Sequence, residues 1–257
     1  MNVILFGTLA SLAAGLMTAV GALPVLVGRQ VSPRANDTLL GFAAGVMLAA
    51  SFFSLLLPSI DASLRLYEHK AAAAGIAAAG ALLGVIAIAV LNEWIPHQHF
   101  IQGRQGPLSD SLRRVWLFVL AITIHNVPEG LAVGVGFGAG DVGSAAALAI
   151  GIGLQNAPEG LAVAVALTGE GYARRRACLI AGATGLVEPL GGLLGAAAVS
   201  LSQPLLPWGL AFAAGAMIYV ISHEIIPETH NRGYQKEATA GLAVGLVVMM
   251  FLDVTLG

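Results

Sequence analysis

The sequence predicts an all-α polytopic membrane protein, and three observations predict it. Hydrophobic residues make up 57% of the chain and charged residues 10%, with a mean hydropathy of +0.85, a balance outside the range of soluble globular domains. The apolar residues gather into eight runs, each long enough to cross roughly 30 Å of hydrocarbon as a helix. Polar motifs recur inside those runs at fixed offsets, as internal repeats of a membrane domain do. The expected architecture is eight transmembrane helices in a 3+2+3 arrangement with inverted repeats, one domain over residues 1–257.

The helices are expected near 2–28, 36–57, 71–95, 114–137, 144–168, 177–201, 205–227 and 237–256. No basic residue precedes the first run and Arg29 and Arg34 follow it, the reverse of a signal peptide, so a retained helix and no targeting segment are expected. The second run ends before Pro58 and contains Phe42-Ala43-Ala44-Gly45-Val46-Met47. The third carries Gly75, Gly80 and Gly84, and the sixth Gly185, Gly191, Gly192 and Gly195, which suits close helix packing. Between the third and fourth, the longest connection runs from Pro96 to Leu112, and its His97-Gln98-His99 either holds a metal weakly or is a solvated loop. The seventh repeats the second as Phe212-Ala213-Ala214-Gly215-Ala216-Met217.

Charge sets the expected orientation. With the N-terminus outside, inner loops collect Arg29, Arg34, Arg104, Arg113, Arg114, Arg174, Arg175, Arg176, Arg232 and Lys236, leaving Arg65 and Lys70 outside. Both termini are then periplasmic or extracellular, in a multi-pass protein of the cell (inner) membrane. The basic residues serve as topology signals and give no reason to invoke nucleic acid. Cys178 is the only cysteine, which excludes an intrachain disulfide and a thiolate metal cluster within one chain. Under this orientation the second and seventh helices run in opposite directions, so their shared motif marks an inverted repeat of helices one to three and six to eight.

The fourth and fifth helices carry a second repeat, His125-Asn126-Val127-Pro128-Glu129-Gly130 and Gln155-Asn156-Ala157-Pro158-Glu159-Gly160. His125 and Glu129 share a helical face, as do Gln155 and Glu159. A short turn joins the two helices, and counting at about 1.5 Å per residue puts both motifs at the same depth on antiparallel neighbours. Pro128 and Pro158 each remove an intrahelical hydrogen bond, freeing the carbonyls of Ile124 and Leu154, so kinked helices with polar pockets are expected. Met47 and Glu188 fall at matching depth. Met47, His125, Asn126, Glu129, Gln155, Asn156, Glu159 and Glu188 can therefore converge in one layer.

Three carboxylates at one depth repel one another unless cations or protons neutralise them. Their company of imidazole, amide and thioether suits a divalent transition metal better than Ca²⁺. More candidates are present than the roughly four ligands of tetrahedral zinc, so two neighbouring metals bridged by Glu129 and Glu159 are a reasonable expectation. On its residues alone Met47 is as well read as packing. His223, Glu224, Glu228 and His230 could line an exit, Asp37 the inner mouth, and Asp61 and Asp253 an outer entrance that attracts cations. Interhelical hydrogen bonding explains the amides but not three buried glutamates.

An enzyme is disfavoured. His223-Glu224-Ile225-Ile226-Pro227 begins like a zinc-protease motif, but Pro227 stands where the second histidine belongs. Gly138-Ala139-Gly140-Asp141 resembles the signature of intramembrane aspartyl proteases, yet Asp141 falls in a short outer loop without a partner aspartate in the preceding helix. A proton-relay or organic-solute carrier using Glu129, Glu159 and Glu188 is the remaining alternative.

At these residues the chain closely resembles the Zrt- and Irt-like (ZIP) metal transporters, in their bacterial branch. His-Asn-x-Pro-Glu-Gly and Gln-Asn-x-Pro-Glu-Gly match the signature, and the likeness extends to the eight helices, the His-bearing loop and Ala44-Gly45-Val46-Met47-Leu48-Ala49-Ala50-Ser51-Phe52-Phe53. The resemblance implies Zn²⁺ or Cd²⁺ as transported substrate, moving into the cytoplasm through a binuclear site, with no organic cofactor. It implies a first metal on Met47, His125, Glu129, Gln155, Glu159 and Glu188, and a second on Asn126, Glu129, Asn156, Glu159 and Glu188. It also suggests helices two, four, five and seven as a transport unit and one, three, six and eight as its support. The partners expected are divalent metal ions, the lipid bilayer and a second copy of the chain in a homodimer. The Irving–Williams order leaves selectivity among Zn²⁺, Cd²⁺, Fe²⁺ and Mn²⁺ to geometry. Because protons compete with metal for carboxylate and imidazole, binding is expected to weaken from about pH 7.5 to about pH 5; equal affinity at both would contradict that competition.

Overall fold

The computed structural model describes residues 2–28, 31–94, 97–99, 103–105, 114–230 and 233–256. Among them are eight helices long and apolar enough to cross a membrane: α1 (Val3–Val25), α2 (Pro33–Tyr67), α3 (Lys70–Trp94), α4 (Arg114–Gly138), α5 (Val142–Gly169), α6 (Arg174–Leu201), α7 (Leu205–Thr229) and α8 (Gln235–Leu256). The protein is all-α apart from a short hairpin between α3 and α4, β1 (His97–His99) antiparallel to β2 (Gly103–Gln105), with His97 opposite Gln105. Arg29, Pro96, Leu112, Arg113 and Arg232 lie outside the described residues, as do the side chains of His97, His99, Arg104 and Arg114.

Local chemistry starts the helices where sequence says it should. Ser32 precedes Pro33, and its hydroxyl accepts the Ala35 N–H at 3.2 Å, an N-cap with proline in the first turn where no N–H is needed. Asp141 caps α5, accepting from the Gly143 and Ser144 N–H groups and from the Ser144 hydroxyl.

Regularity fails at places other than the prolines of the repeat. Both α4 and α5 continue through Pro128 and Pro158 as unbroken helix. Instead α2 widens into a π segment over Ala50–Leu56 and α7 into another over Ile221–Ile225. Each follows its Phe-Ala-Ala-Gly motif by a few residues and hands over to α-helix at a proline, Pro58 or Pro227. This corrects the expected end of the second helix at 57. A proline in the first turn after a π segment has no intrahelical partner to break, so the chain runs on helically to Tyr67 and ends on Glu68, whose φ is +51°. In α6 a 3₁₀ turn at Gly185–Val187 precedes the Glu188-Pro189 pair.

The helices pack in two groups, α1 with α4, α5 and α6, and α2 with α3, α7 and α8. The most extensive pairings are α2 with α8, α4 with α6, α1 with α6, α1 with α5 and α3 with α7. This is not the partition that the resemblance suggested. The reason lies in the glycines: a Cβ at Gly41 or Gly45 of α2 would strike the backbone of α8, one at Gly84 the backbone of α7, and one at Gly15 that of α6. Such crossings bring backbones together within a group. Between groups the glycines mostly meet side chains, as Gly151 meets Met249 and Gly209 meets Val135.

On the side where α2 ends and α4 turns into α5, a cavity of about 390 Å³ opens among Asp61, Arg65, Asp141, Ser144, Gln203 and Ser54. Hydrogen bonds from Ser144 and Gly143 hold the Asp141 carboxyl below its ordinary value of 3.8. A lowered folded value means that the stabilisation is present above about 3.8 and is lost as pH falls through the folded value. Asp141→Ala should cost the α5 terminus about 1 kcal/mol, and Asp141→Asn, a comparable cap, should cost a few tenths at most. Thermal unfolding in detergent checks this; equal losses in both variants would contradict the cap.

Candidate metal centre

Four helices deliver a buried polar layer. Glu129 from α4, Glu159 from α5 and Glu188 from α6 are exposed by 0%, 1% and 0%, and lie close enough to repel one another. Gln155 donates from Nε2 to Glu129 Oε1 at 2.7 Å, tying the two copies of the repeat together. Asn156 donates from Nδ2 to Glu188 Oε1 at 2.7 Å and also to the Ala14 carbonyl of α1 at 2.9 Å. His125 forms an ion pair with Glu224 of α7, which joins the two helix groups at this layer.

Much of the layer's polarity is left over. Glu129 Oε2, both oxygens of Glu159 and Glu188 Oε2 accept no hydrogen bond, nor do Gln155 Oε1 and Asn156 Oδ1. Neither amide atom of Asn126 is bonded, although the residue is wholly buried. Among the described residues no lysine or arginine reaches the three glutamates. Each unpaired buried oxygen costs on the order of 1–3 kcal/mol, more if charged, so a layer with this many is suited to an added cation or to protons. As the side chains stand, no three His, Cys, Asp or Glu among the described residues are close enough together to hold an ion. Amides occupy one oxygen of Glu129 and one of Glu188, and Glu224 occupies His125.

The remaining candidates fall into three places. Met47 is fully buried among apolar side chains that include Met217, Leu148 and Ile152. Glu224 and Glu228, with His125 and Glu159, line a cavity of about 30 Å³ walled also by Leu40, Ile122 and Ile225. Asp37 is buried on the first turns of the same helix as Leu40. His230 is half-buried and held by its own helix end, its Nδ1 2.9 Å from the Ile226 carbonyl. On the other side Asp61 lines the larger cavity, and Asp253 accepts the Ser54 hydroxyl at 2.6 Å beside it. His223 departs from the rest: it is exposed, with its ring 4.9 Å from that of Tyr219.

Sequence reading had no means of finding two contributions. The Ala14 carbonyl is a backbone group on a helix without motifs, and Ser11 on the same helix donates to the Gly7 and Gly130 carbonyls. The direct pairing of Glu224 with His125 is a tertiary contact, and Glu224 reaches it from within the π segment of α7.

A family model described as ZIP zinc transporter matches residues 96–253. Over 252 residues the chain is 48% identical to the zinc transporter GufA of Myxococcus xanthus, across 98% of this chain and 99% of that protein. It is 48% identical over 240 residues to the zinc transporter ZIPB of Bordetella bronchiseptica, across 93% of this chain and 78% of that one. The human zinc transporter ZIP11 is 39% identical over an alignment of 322 positions that covers 94% of each chain.

Each glutamate of the repeat is followed by a glycine at a backbone crossing. A Cβ on Gly130 would run into the backbone of Glu188 in α6, and one on Gly160 into the Thr18 carbonyl of α1. These crossings set how near Glu188 and Asn156 come to the layer. Gly130→Ala and Gly160→Ala should each destabilise by about 1–3 kcal/mol through overpacking, whereas Gly75→Ala, where a Cβ inside a helix meets nothing within 4 Å, should not destabilise and should raise stability by up to about 1 kcal/mol. Thermal unfolding in detergent would read the difference; wild-type stability in both repeat variants would contradict the crossing role.

Proposed function

The chain belongs to the ZIP zinc transporter family, and from that premise we propose that it carries Zn²⁺, and Cd²⁺ with it, across the inner membrane into the cytoplasm through a binuclear site in the buried layer. The observation that carries this reading is the trio of wholly buried glutamates from three helices with oxygens that accept no hydrogen bond. Divalent cations neutralise such a trio; hydrogen-bonded helix packing does not need it.

In this reading the first metal is held by Met47, His125, Glu129, Gln155, Glu159 and Glu188, and the second by Asn126, Glu129, Asn156, Glu159 and Glu188. An arriving ion takes Glu129 from the Gln155 amide and His125 from Glu224. Gln155 then turns its free Oε1 toward the metal. Glu129 and Glu159 bridge the two ions, while His125, Gln155 and Met47 favour borderline-soft metals over Ca²⁺ and Mg²⁺. The reaction is transport without covalent chemistry, in keeping with relatives named as transporters.

The two cavities support a route. Asp61 and the Ser54–Asp253 pair give the outer cavity a negative rim, and the small cavity leads from His125 and Glu159 past Glu224 and Glu228 toward the start of α2. Orientation with both termini outside rests on the distribution of basic residues. The pairings also support an inverted repeat: exchanging α1–α3 with α6–α8 and α4 with α5 turns α2–α8 into α7–α3, and α4–α6 into α5–α1. Motion of the group holding Glu129, Glu159 and Glu188 against the group holding Met47 and Glu224 would open the layer to one side and then the other.

Metal flux into proteoliposomes carrying a zinc-sensitive dye tests the reading. Glu129→Gln and Glu159→Gln should each cut zinc flux at least about tenfold, and Met47→Ala should change the preference between zinc and cadmium. Undiminished flux in both glutamate variants would return the repeat to helix packing and favour the proton-relay or solute-carrier reading.

A further inference from the structure

We propose that the chain holds an anionic phospholipid headgroup in an open cavity at the ends of α1, α5 and α6, where Arg174 is the one basic residue among the described lining residues, away from the metal layer. The cavity has a volume of about 470 Å³, and its lining includes Gly28, Val31, Thr168, Tyr172 and Arg174. Arg174 opens a run of three consecutive arginines, all exposed, and among the described residues no carboxylate pairs with any of them. Three unneutralised guanidinium groups on one helix turn repel one another, which an anion would relieve.

The guanidinium of Arg174 lies against the end of α1. A Cβ at Gly28, whose φ is +74°, would stand 2.8 Å from an Arg174 guanidinium nitrogen, so the left-handed glycine makes room for it against the end of α1. Arg176 is drawn onto the face of Tyr172, 5.6 Å from the ring centroid. The Tyr172 hydroxyl accepts the Trp116 indole N–H at 2.7 Å and keeps its own proton to donate. The cavity thus offers a bidentate guanidinium and a phenol hydroxyl, donors that a phosphate diester accepts.

Two features point to a lipid as the source of the phosphate. Trp116 and Tyr172 pack edge to face where α4 and α5 leave the apolar span, the level at which such rings mark the membrane–water interface. Val27, in the turn after α1 next to the lining Gly28, and Leu179, five residues beyond Arg174 on α6, are 77% and 74% exposed, apolar surface available to acyl chains. Basic pockets between membrane helices at this level suit anionic lipid headgroups. The assignment needs only that the chain spans a bilayer, and stands or falls separately from the metal reading.

Native mass spectrometry of the purified full-length protein tests it, with phosphatidylglycerol or phosphatidylcholine of identical acyl chains added in detergent. Wild type should retain phosphatidylglycerol over phosphatidylcholine, and Arg174→Gln should reduce that retention about tenfold. Lys236→Gln, an equal loss of charge outside the cavity, should leave it unchanged. Equal retention of the two lipids by wild type, or equal phosphatidylglycerol retention by wild type and Arg174→Gln, would overturn the proposal. Displacement of phosphatidylglycerol by millimolar inorganic phosphate would overturn the lipid as source and leave a plain anion site.

Discussion

Carboxylates do not reside in the interior of a membrane domain without compensation, and Glu129, Glu159 and Glu188 are wholly buried there. The neighbouring groups divide their oxygens into satisfied and unsatisfied ones. Gln155 and Asn156 each satisfy one, and the others accept nothing. Much of the surrounding architecture serves to bring these groups to one place. Glycines after Glu129 and Glu159 let α6 and α1 cross at backbone distance, and the Ala14 carbonyl of α1 positions Asn156. A layer with so few internal partners is poised to exchange amide and carboxylate contacts for a cation.

The division into two helix groups follows from the same economy of packing. In a membrane, apolar side chains gain little by leaving lipid, so close backbone contact must supply the attraction. Glycine crossings bind α2 to α8 and α3 to α7 in one group, and α1 to α5 and α6 and α4 to α6 in the other. The three glutamates belong to the second group, while Met47 and Glu224 belong to the first. The His125–Glu224 pair is therefore a contact between the two groups. The π segments of α2 and α7 both lie in the first group, and the second of them contains Glu224.

Hydropathy and the doubled Pro-Glu-Gly motif made the membrane class, the eight spans and the polar pair α4 and α5 legible in the sequence. Length and apolarity fix a spanning helix, and a costly residue repeated at one depth advertises itself. What stayed hidden was governed by backbone geometry or tertiary approach. Pro58 looked like the end of a helix, because a proline's effect depends on whether the preceding turn is α or π. Pro128 and Pro158 are expected inside continuing, kinked helices, and the helices do run through them. The grouping of helices depends on which glycine faces which backbone, and glycine-rich runs in α3 and α6 carry no record of their partners. His223 and Glu224 are adjacent in sequence, but one is exposed beside Tyr219 and the other reaches His125, as consecutive residues on different helical faces do once tertiary packing decides which face is inward.

The most direct measurement is zinc K-edge X-ray absorption on the purified protein loaded with zinc and washed free of excess. The account predicts a shell of oxygen and nitrogen donors with the Met47 thioether sulfur, containing an imidazole that His125→Ala removes, and a loss of bound zinc in Glu129→Gln and Glu159→Gln. A spectrum of hydrated zinc, or one left unchanged by all three substitutions, would contradict the claim that this layer binds the transported ion.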